Sequence, residues 1–448
     1  MKARASDIAA WTGGQLHGED VVVQGVGCDS RQLPVGALFV ALQGERVDGH
    51  DFVAALQHHA AAALVSRLQP VGLPQIVVAD VEQALMQLAQ AWLAQLPVTV
   101  LALTGSNGKT TVKTLLAAIL ARRGRTHATP GNLNNEIGLP LSVLGIQPEH
   151  EYAVLEMGCG KPGDIDQLAA IAPPDVALVN NVAAAHLERL HSVEGVAQAK
   201  AGIYRGLKPA GIAILNADDA QAALLAGQIG AHRQIRFGLT ADAEVSAQIH
   251  SLSPTPRFQL HTPVGEAEVL LALPGLHNVR NALAAAAMAL AVATPLATIV
   301  EGLQSVQGVG GRLRRLEHAG VHWYDDSYNA NPGSLAAAIE TLALEPGERW
   351  LVLGNMAELG PEAAQLHRQS GALARERGIE RLWTVGELAA EAAAAFGPGA
   401  TACADVQSLI EALRAALKPG LTVVVKGSRS ARMERVVAAL AAPGEGGH

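Results

Sequence analysis

The sequence predicts an α/β protein with three domains, on the strength of three observations. The chain has 448 residues, and at ~150 residues per domain this suggests about three domains. Short apolar runs alternate with helical patterns along most of the chain, which is typical of parallel sheets covered by helices. A glycine-rich segment, residues 308–311, separates two such regions. We expect a small N-terminal α/β domain at 1–82, a central parallel-sheet domain with an antiparallel flank at 83–310, and a C-terminal Rossmann-like domain at 311–448.

Composition narrows the class of protein. Hydrophobic residues make up 49% of the chain and charged residues 17%, so the chain can bury large cores. The net charge of −8 argues against a surface that coats nucleic acid. Three widely spaced cysteines, and an N-terminus without a continuous apolar segment, favour a protein of the reducing cytoplasm.

One uncharged stretch has the length of a membrane span. Asn281–Val300 carries no charge over 20 residues. The stretch is mostly alanine, contains Pro295 and lacks flanking aromatic residues. We therefore expect a buried helix followed by a second short helix.

The N-terminal region has short apolar runs of strand length around one amphipathic stretch, Phe52–His59. The runs are Asp20–Val26, Ala37–Leu42, Ala62–Ser66 and Gln75–Ala79. Runs of this length with a helical stretch between them predict a small α/β unit.

The central region begins with a predicted strand, Val98–Thr104, and a helix that starts at Lys109 and ends at Arg123. Further strands are expected at Tyr152–Met157, Val176–Asn180 and Ile212–Asn216. Strands that alternate with helices in this way predict a parallel sheet. Between residues 243 and 273 the apolar period shifts towards two, which predicts an antiparallel hairpin beside that sheet.

The C-terminal region repeats the alternation of strands with Ala-rich helices. Its apolar strands are expected at Trp350–Leu353, Leu382–Val385 and Thr422–Val425. This pattern is the reason for predicting a Rossmann-like domain there.

The most specific local feature is a glycine loop between a strand and a helix. It comprises Thr104, Gly105, Ser106, Asn107, Gly108, Lys109, Thr110 and Thr111. In a phosphate loop the backbone amides bind a polyphosphate, Lys109 would bridge the β and γ oxygens, and Thr110 would ligate Mg²⁺. Leu103 stands where the first glycine of the longer pattern would fall, so only a shortened form is present. A simple turn before a helix is the structural alternative.

Further motifs follow in order along the whole chain. They include GNLNNEIG at 131–138, DDSYNANP at 325–332 and MAELG at 356–360. In this order the motifs resemble those of the Mur ligases, the ATP-dependent amino-acid ligases of peptidoglycan synthesis. The same three motifs point to the member that adds D-alanyl-D-alanine. The DNPR tetrapeptide, which is typical of the diaminopimelate- or lysine-adding ligase, is absent from the sequence.

The resemblance implies an ATP-dependent ligase that adds D-alanyl-D-alanine to UDP-MurNAc-tripeptide through an acyl phosphate. It would act in the cytoplasmic synthesis of peptidoglycan, on which cell shape and cell division depend, and would use ATP and two Mg²⁺ ions. Each step gathers negative charge, so the site needs cations and preorganised donors more than a protein nucleophile. We expect a monomer that neither spans a membrane nor binds nucleic acid.

Three more residues are candidates for the metal site beside Thr110. Glu156 ends an apolar strand, where a carboxylate has no packing role, and oxygen ligands suit Mg²⁺. His186 follows the next strand at its carboxyl end, where α/β sheets place ligands. By resemblance His186 would bind a second Mg²⁺, and Lys200 would become a metal-binding carbamate. A capped strand end, a core histidine and a solvated lysine are the structural alternatives.

The resemblance also assigns residues to the nucleotide. Asn278 and Asn281 lie three apart on one predicted helical face and would be near the adenine. Arg312 would reach the γ-phosphate from the C-terminal domain. The pocket would be completed by Asp326, Tyr328, Asn329 and Asn331. A polar helix start and a turn rich in Asn and Pro are the structural alternatives.

The remaining candidates would bind the substrates. Ser30 and Arg31 resemble the uridine-nucleotide part of the N-terminal domain, and Asn132 and Asn135 would face the muramoyl side and the reacting carboxylate. The dipeptide carboxylate would be accepted by Lys426, Ser428 and Arg429 at the end of the last strand. The residues assigned to catalysis are Lys109, Asn135, His186, Lys200 and Arg312.

Two other functions remain open on the sequence. Another member of the same family, either a tripeptide-forming ligase or a folylpolyglutamate synthase, would share the phosphate loop. A nucleotide-binding regulator that has lost catalysis would also keep it.

Overall fold

The computed structural model describes residues 1–185 and 187–441. The N-terminal region consists of short strands and one helix. They are β1 (Lys2–Arg4), α1 (Ala5–Thr12), β2 (Gln15–His17), β3 (Val22–Gln24), β4 (Val26–Gly27), β5 (Leu38–Val40), β6 (Ala62–Val65) and β7 (Gln75–Val77). One sheet has the order β2–β7–β6–β5–β4, with β2 antiparallel to its neighbour. The strands β1 and β3 pair separately.

The amphipathic stretch Phe52–His59 differs from a regular helix. It lies in two 3₁₀ turns, Gly49–Phe52 and Ala54–Leu56. The Asp48 carboxylate accepts a hydrogen bond from the His50 backbone amide, 2.9 Å away, and so begins a tight turn. A stretch this short gains little from helical hydrogen bonds of its own.

The central region is built on a six-stranded parallel sheet with the order β13–β12–β11–β8–β10–β9. Its helices and strands, in chain order, are α2 (Val81–Leu93), β8 (Thr99–Thr104), α3 (Lys109–Leu120), β9 (Thr126–Ala128), α4 (Gly138–Leu144), β10 (Tyr152–Glu156), α5 (Asp164–Ile171), β11 (Val176–Val179), α6 (Leu187–Leu190), α7 (Val193–Lys200), α8 (Gly202–Arg205), β12 (Ile212–Asn216), α9 (Ala222–Ile229) and β13 (Arg233–Phe237). The predicted parallel sheet is confirmed.

An antiparallel sheet and two helices follow. They are β14 (Ser246–Ser251), β15 (Arg257–Thr262), β16 (Gly265–Leu270), α10 (Leu276–Ala291) and α11 (Leu296–Ser305). The predicted hairpin is therefore part of a three-stranded flank. The uncharged stretch forms α10 and α11 as expected, with Pro295 at the start of the second helix. Across the two described ranges, no helix has the length and apolar character needed to span a bilayer.

The C-terminal region has the sheet order β17–β18–β22–β19–β20–β21, in which β17 is antiparallel and the other strands are parallel. Its elements are β17 (Arg314–His318), β18 (Val321–Asp326), α12 (Pro332–Ala343), β19 (Glu348–Gly354), α13 (Ala363–Glu376), β20 (Arg381–Val385), α14 (Glu387–Phe396), β21 (Ala400–Cys403), α15 (Val406–Ala416), β22 (Leu421–Lys426) and α16 (Glu434–Leu440). The predicted α/β alternation is confirmed here too.

The predicted domain boundaries fall at two points of this architecture. Residue 82 lies in the first turn of α2, and residues 310 and 311 lie between α11 and β17. The core of the central region is aliphatic, because α10 buries its alanines against α3 and the parallel sheet. Because the strands of the central sheet are parallel, their carboxyl ends lie at one edge of the sheet.

Polar side chains occupy that edge. Thr104 ends β8, Glu156 ends β10, Asn180 follows β11 and Asn216 ends β12. All four are buried. The carboxyl ends of parallel strands are where α/β proteins bind their ligands, and a buried polar group there needs a partner.

Candidate active site

The glycine loop connects β8 to α3 in a conformation that requires glycine. Gly108 is the residue before α3 and has φ +78°. A Cβ atom at this position would lie 2.3 Å from Asn281 Oδ1 and 2.6 Å from Asn180 Nδ2. Lys109 folds back, and its Nζ donates a hydrogen bond to the Gly105 carbonyl oxygen at 2.8 Å. The loop is thus packed closely against the amide side chains that follow β11 and begin α10.

Asparagine side chains hold the loop in place. Asn181 Oδ1 accepts a hydrogen bond from the Asn107 amide at 2.8 Å, and Asn180 Nδ2 donates to the Asn107 carbonyl at 2.9 Å. Asn180 Nδ2 also donates to Asn281 Oδ1, and Asn281 Nδ2 donates to Asn278 Oδ1. The two residues predicted to lie near the adenine are therefore linked to the phosphate loop by a chain of hydrogen bonds that passes through Asn180.

Glu156 connects the two sides of the site. Its Oε2 accepts a hydrogen bond from the Thr110 hydroxyl at 3.0 Å and lies 3.2 Å from Lys113 Nζ. Its Oε1 accepts a hydrogen bond from Asn134 Nδ2 at 2.8 Å. Burial would raise the pKa of Glu156, but the ammonium groups of Lys109 and Lys113 outweigh that effect and hold the pKa below its usual value. The carboxylate is therefore ionised and surrounded by donors.

The C-terminal region contributes the opposite wall. The Arg312 guanidinium lies over the Tyr328 ring, 4.5 Å from its centre. Lys426 Nζ forms a buried ion pair with the Asp326 carboxylate and donates to the Asn329 carbonyl at 3.0 Å.

A direct hydrogen bond joins this wall to the phosphate loop. Asn331 Nδ2 donates to Asn107 Oδ1 at 2.8 Å. Asn331 precedes α12, so the start of that helix lies against the loop.

Between the two walls lies a cavity of about 900 Å³. It is large enough for a small organic ligand of nucleotide size. The candidate residues that line it are Ser106, Asn107, Gly108, Lys109, Thr111, Asn132, Glu156, Asn278, Asn281, Arg312, Asp326, Tyr328, Asn329, Asn331 and Lys426. Most of the residues predicted to bind the nucleotide are thus brought together, although they come from segments far apart in the chain.

A second cavity of about 340 Å³ opens on the other side of Lys109. Asn135 lines it, together with Asn134 and Cys159. Lys109 and Asn134 line both cavities. A phosphate transferred from one ligand to another would therefore cross at these two residues.

Some candidates lie away from both cavities. Arg31 forms an exposed ion pair with Asp29 at 2.8 Å, and Ser30 lies between them in the chain. The Ser428 amide donates to the Asn355 carbonyl at 2.9 Å, and the Arg429 guanidinium is 5.8 Å from the Tyr328 ring centre. These side chains are not brought to the phosphate loop.

Three candidates of the phosphate loop, and Lys200 of the second metal position, line neither cavity. Thr104 is buried at the end of β8, the Gly105 carbonyl accepts the hydrogen bond from Lys109, and the Thr110 hydroxyl donates to Glu156. Lys200 ends α7 with its side chain buried, and burial, together with the charge of Lys109, lowers its pKa to about 8. His186 lies outside the described residues.

Several residues of the site were not assigned to it from the sequence, among them Asn180 and Asn181, which hold the loop, and Asn134 and Lys113, which contact Glu156. Asn134 stands between the two candidates of its turn, and Lys113 follows Lys109 by one helical turn. Residues four apart share a face of a helix, so the spacing of the two lysines was the available signal for Lys113. Nothing in the local sequence separated Asn134 from its neighbours.

Comparison with known proteins identifies the family of this chain. Three family profiles match: "Mur ligase family, catalytic domain" at 22–97, "Mur ligase middle domain" at 103–289, and "Mur ligase, glutamate ligase domain" at 311–429. The UDP-N-acetylmuramoyl-tripeptide–D-alanyl-D-alanine ligase of Escherichia coli is 46% identical over 95% of this chain and 96% of its own.

Solved structures agree with that relationship. A crystal structure of MurF from Acinetobacter baumannii has a TM-score of 0.92 and 36% identity, and covers 98% of both chains. The MurF ligase of Thermotoga maritima, solved in complex with ADP, has a TM-score of 0.84 and 29% identity, and covers 93% of this chain and 97% of its own. The chain belongs to the Mur ligase family.

Proposed function

We propose that this protein joins D-alanyl-D-alanine to UDP-MurNAc-tripeptide with the hydrolysis of ATP to ADP and phosphate. The observation that carries the proposal is the pair of cavities that meet at Lys109 and Asn134. One cavity has the size and the phosphate loop for ATP, and the other provides an approach for a carboxylate. The 46% identity to the Escherichia coli ligase supports the choice of substrates.

In the first half-reaction an oxygen of the substrate carboxylate attacks the γ-phosphorus of ATP, the bond to the bridging oxygen breaks, and ADP leaves. Lys109 and Arg312 neutralise charge that builds up on the transferred group. Both line the larger cavity, from opposite walls. Asn132 and Asn135 would orient the carboxylate, the second from the smaller cavity.

In the second half-reaction the dipeptide amine attacks the acyl carbon, loses a proton, and expels phosphate to leave an amide. Lys426, which lines the larger cavity, and Arg429, which lies outside it near the Tyr328 ring, would attract the dipeptide carboxylate. An acyl phosphate reacts readily with water, so the walls must also exclude water while the intermediate exists. The contact between Asn331 and the loop is one that keeps the walls together.

The donors present fit Mg²⁺. Thr110 and Glu156 offer a hydroxyl and an ionised carboxylate within 3.0 Å of each other, which are the hard oxygen ligands that this ion prefers. The ion, when bound, supplies charge neutralisation for the phosphate oxygens. The chain's own part is to hold these oxygens at the end of β10 and the start of α3.

Lys200 and His186 would serve a second metal ion. A buried lysine with a pKa of about 8 keeps part of its amine neutral near neutral pH. The neutral nitrogen can form a bond to the carbon of CO₂ and lose a proton, which turns a cation into a carbamate anion. We expect Lys200 to carry this carbamate in the active enzyme.

We further propose that the enzyme is a monomer of the cytoplasm. Its reaction belongs to the synthesis of peptidoglycan, on which cell shape and cell division depend.

A substrate panel tests the proposal. ADP release is measured with ATP, UDP-MurNAc-tripeptide and one acceptor at a time: D-alanyl-D-alanine, meso-diaminopimelate, L-lysine or glutamate. Among these acceptors, we expect only D-alanyl-D-alanine to support ADP release. The mass of the product should equal that of UDP-MurNAc-tripeptide plus the dipeptide, minus one water. Release that requires one of the other acceptors would contradict the choice of substrate, and release that requires no acceptor would indicate an uncoupled ATPase.

Lys109→Ala provides the control for the phosphate loop. We expect no acyl phosphate and no ADP from this variant, while UDP-MurNAc-tripeptide still binds. Loss of both properties would indicate a folding defect. A protein that binds ATP but turns it over with no combination of substrates would be a regulator.

A further inference from the structure

Lys113 is a buried cation for which the proposed reaction has no use. It follows Lys109 by four residues on α3, and its exposed fraction is 5%. Lysine ammonium groups are almost never buried without a partner, because their removal from water is costly. The partners of Lys113 therefore indicate what the residue does.

The ammonium group makes two contacts. Lys113 Nζ donates a hydrogen bond to the Gly131 carbonyl at 2.8 Å and lies 3.2 Å from Glu156 Oε2. Gly131 belongs to the turn that links β9 to α4, and this turn also carries Asn132 and Asn134. One side chain thus connects the phosphate-loop helix to the turn on the carboxylate side.

The contact with Glu156 is an ionic one. The other side-chain donors to that carboxylate, Thr110 and Asn134, are neutral. Lys109 directs its ammonium at the Gly105 carbonyl. In the part of the chain that the structure describes, Lys113 is the cation that forms an ion pair with Glu156.

We propose that Lys113 is a positioning residue that acts as the counter-ion of Glu156 in the metal-free protein and connects the turn at 129–137 to the phosphate-loop helix. The inference rests on the proposed function, in which Glu156 is a magnesium ligand. It assigns the ion pair a purpose, which is to hold the buried carboxylate in place before Mg²⁺ arrives.

This role has a consequence that does not involve catalysis. Breaking a buried ion pair by removing one partner leaves an uncompensated charge. In Lys113→Met the Glu156 carboxylate would lose its counter-ion, so a divalent cation bound beside it would stabilise the variant more than it stabilises the original protein. Magnesium-dependent stability therefore reports on the pair directly.

The experiment compares melting temperatures in magnesium chloride and in sodium chloride of the same ionic strength, without nucleotide. The proteins are the unaltered chain, Lys113→Met, Lys113→Met with Glu156→Gln, and Lys208→Met. Lys208 pairs with Asp175 at 2.8 Å in a more exposed position and is the control for the loss of an ion-paired lysine away from Glu156.

We expect magnesium to raise the melting temperature of Lys113→Met by roughly 1–2 °C more than that of the unaltered chain, the shift expected for a change of one to two kcal/mol in a chain of this size. The double variant and Lys208→Met should show no extra shift. Equal shifts for Lys113→Met and the unaltered chain, or an extra shift that survives Glu156→Gln, would overturn the proposal. Should Lys113→Met not fold, Lys113→Gln loses the charge and keeps a donor for Gly131, and the same comparison applies.

Kinetics test the second contact. Since Gly131 lies beside Asn132, Lys113→Met should raise the KM for UDP-MurNAc-tripeptide at least tenfold and change the KM for ATP less than threefold. Equal changes in both would overturn the link to the turn. The melting experiment needs no turnover, so it decides the role of Lys113 even if the unaltered chain does not use D-alanyl-D-alanine.

Discussion

At the scale of single residues, Lys200 combines a cost in stability with a chemical use. Burial, then the nearby charge of Lys109, lowers its pKa from 10.5 to about 8. At pH 7 roughly one amine in ten is then neutral, against about one in three thousand for an ordinary lysine. Burying the charged form destabilises the native state below pH 8, and the penalty disappears as the pH rises towards 10.5, where the unfolded chain also loses the proton.

Lys200→Met should therefore stabilise the fold and abolish ligation. In buffer free of CO₂ at pH 7 we expect a gain of ~3 kcal/mol in the free energy of unfolding, because the buried charge is removed. The gain should shrink between pH 8 and pH 10.5. Denaturant unfolding at several pH values measures it. A fully active Lys200→Met would rule out the carbamate, and a stability gain that does not depend on pH would show that the lysine charge is not its source.

Gly108→Ala should disable nucleotide binding. The new methyl group would lie 2.3 Å from Asn281 Oδ1 and would push apart the amides that hold the loop. Gly36→Ala is the matched control, because Gly36 has almost the same φ, +77°, but has nothing within 4 Å of the added atom. Both variants should lose ~1–2 kcal/mol of stability to the left-handed backbone. Only Gly108→Ala should weaken ADP binding, by tenfold or more in calorimetry; equal affinities would contradict the steric argument.

Single residues also show where prediction from sequence succeeds and where it fails. Glu156 was predictable because a carboxylate at the end of an apolar strand is out of place unless it has a partner. Lys113 was not, because a lysine on a helix is usually solvated and its burial depends on a turn some 18 positions away in the chain. Burial arises from packing between segments, and local sequence does not show it.

At the scale of elements, Asn331, the residue that precedes α12, makes two kinds of contact. Asn331 Oδ1 accepts a hydrogen bond from the Ser334 amide at 2.9 Å and so caps the helix. Its Nδ2 donates to Asn107 in the phosphate loop. The Asn-Pro pair, for which the sequence suggested a turn, is also typical of a helix start, since Pro is favoured in the first helical turn. The bond to the loop was not predictable from the local sequence, because it joins residues 224 positions apart.

Two variants separate these contacts. Asn331→Asp keeps a good cap, since Asp and Asn are equally favoured there, but it places an acceptor opposite Asn107 Oδ1. We expect near-normal melting and a turnover number reduced at least tenfold. Asn331→Ala should lose ~1 kcal/mol of stability as well. Normal turnover in Asn331→Asp would show that the bond to the loop has no part in catalysis.

Two apolar stretches show when an apolar pattern predicts local structure correctly and when it does not. The stretch that forms α10 and α11 was assigned correctly because its length, its alanine content and Pro295 agreed with a buried helix and a break. The Phe52–His59 stretch shows a helical period but forms 3₁₀ turns. There the Asp48 side chain decides the local backbone, and a capping contact of this kind overrides a weak periodicity.

At the scale of the whole molecule, the site is made by the meeting of regions. The larger cavity has one wall from the parallel sheet and one from the C-terminal region. No periodicity or spacing in the sequence predicts that these walls face each other. The assignment of residues from both walls to one pocket therefore rested on the motif series and on the family that it resembles. The predicted roles of Ser30 and Arg31 depend on the same kind of long-range arrangement, because these residues lie outside both cavities.

Backbone hydrogen exchange can test this arrangement in one protein. A non-hydrolysable ATP analogue with Mg²⁺ should slow exchange at 105–111, at the start of α10 and at 326–334, because these segments line the larger cavity. It should leave β5 and β6 unchanged.

A UDP-MurNAc-tripeptide is long enough to reach further, since three extended residues alone span ~10 Å. We expect it to slow exchange at 131–136 and at 29–31 together. Protection at 131–136 without 29–31 would remove Ser30 and Arg31 from the substrate site, and protection of β5 and β6 by the ATP analogue would contradict a nucleotide site confined to the central and C-terminal walls.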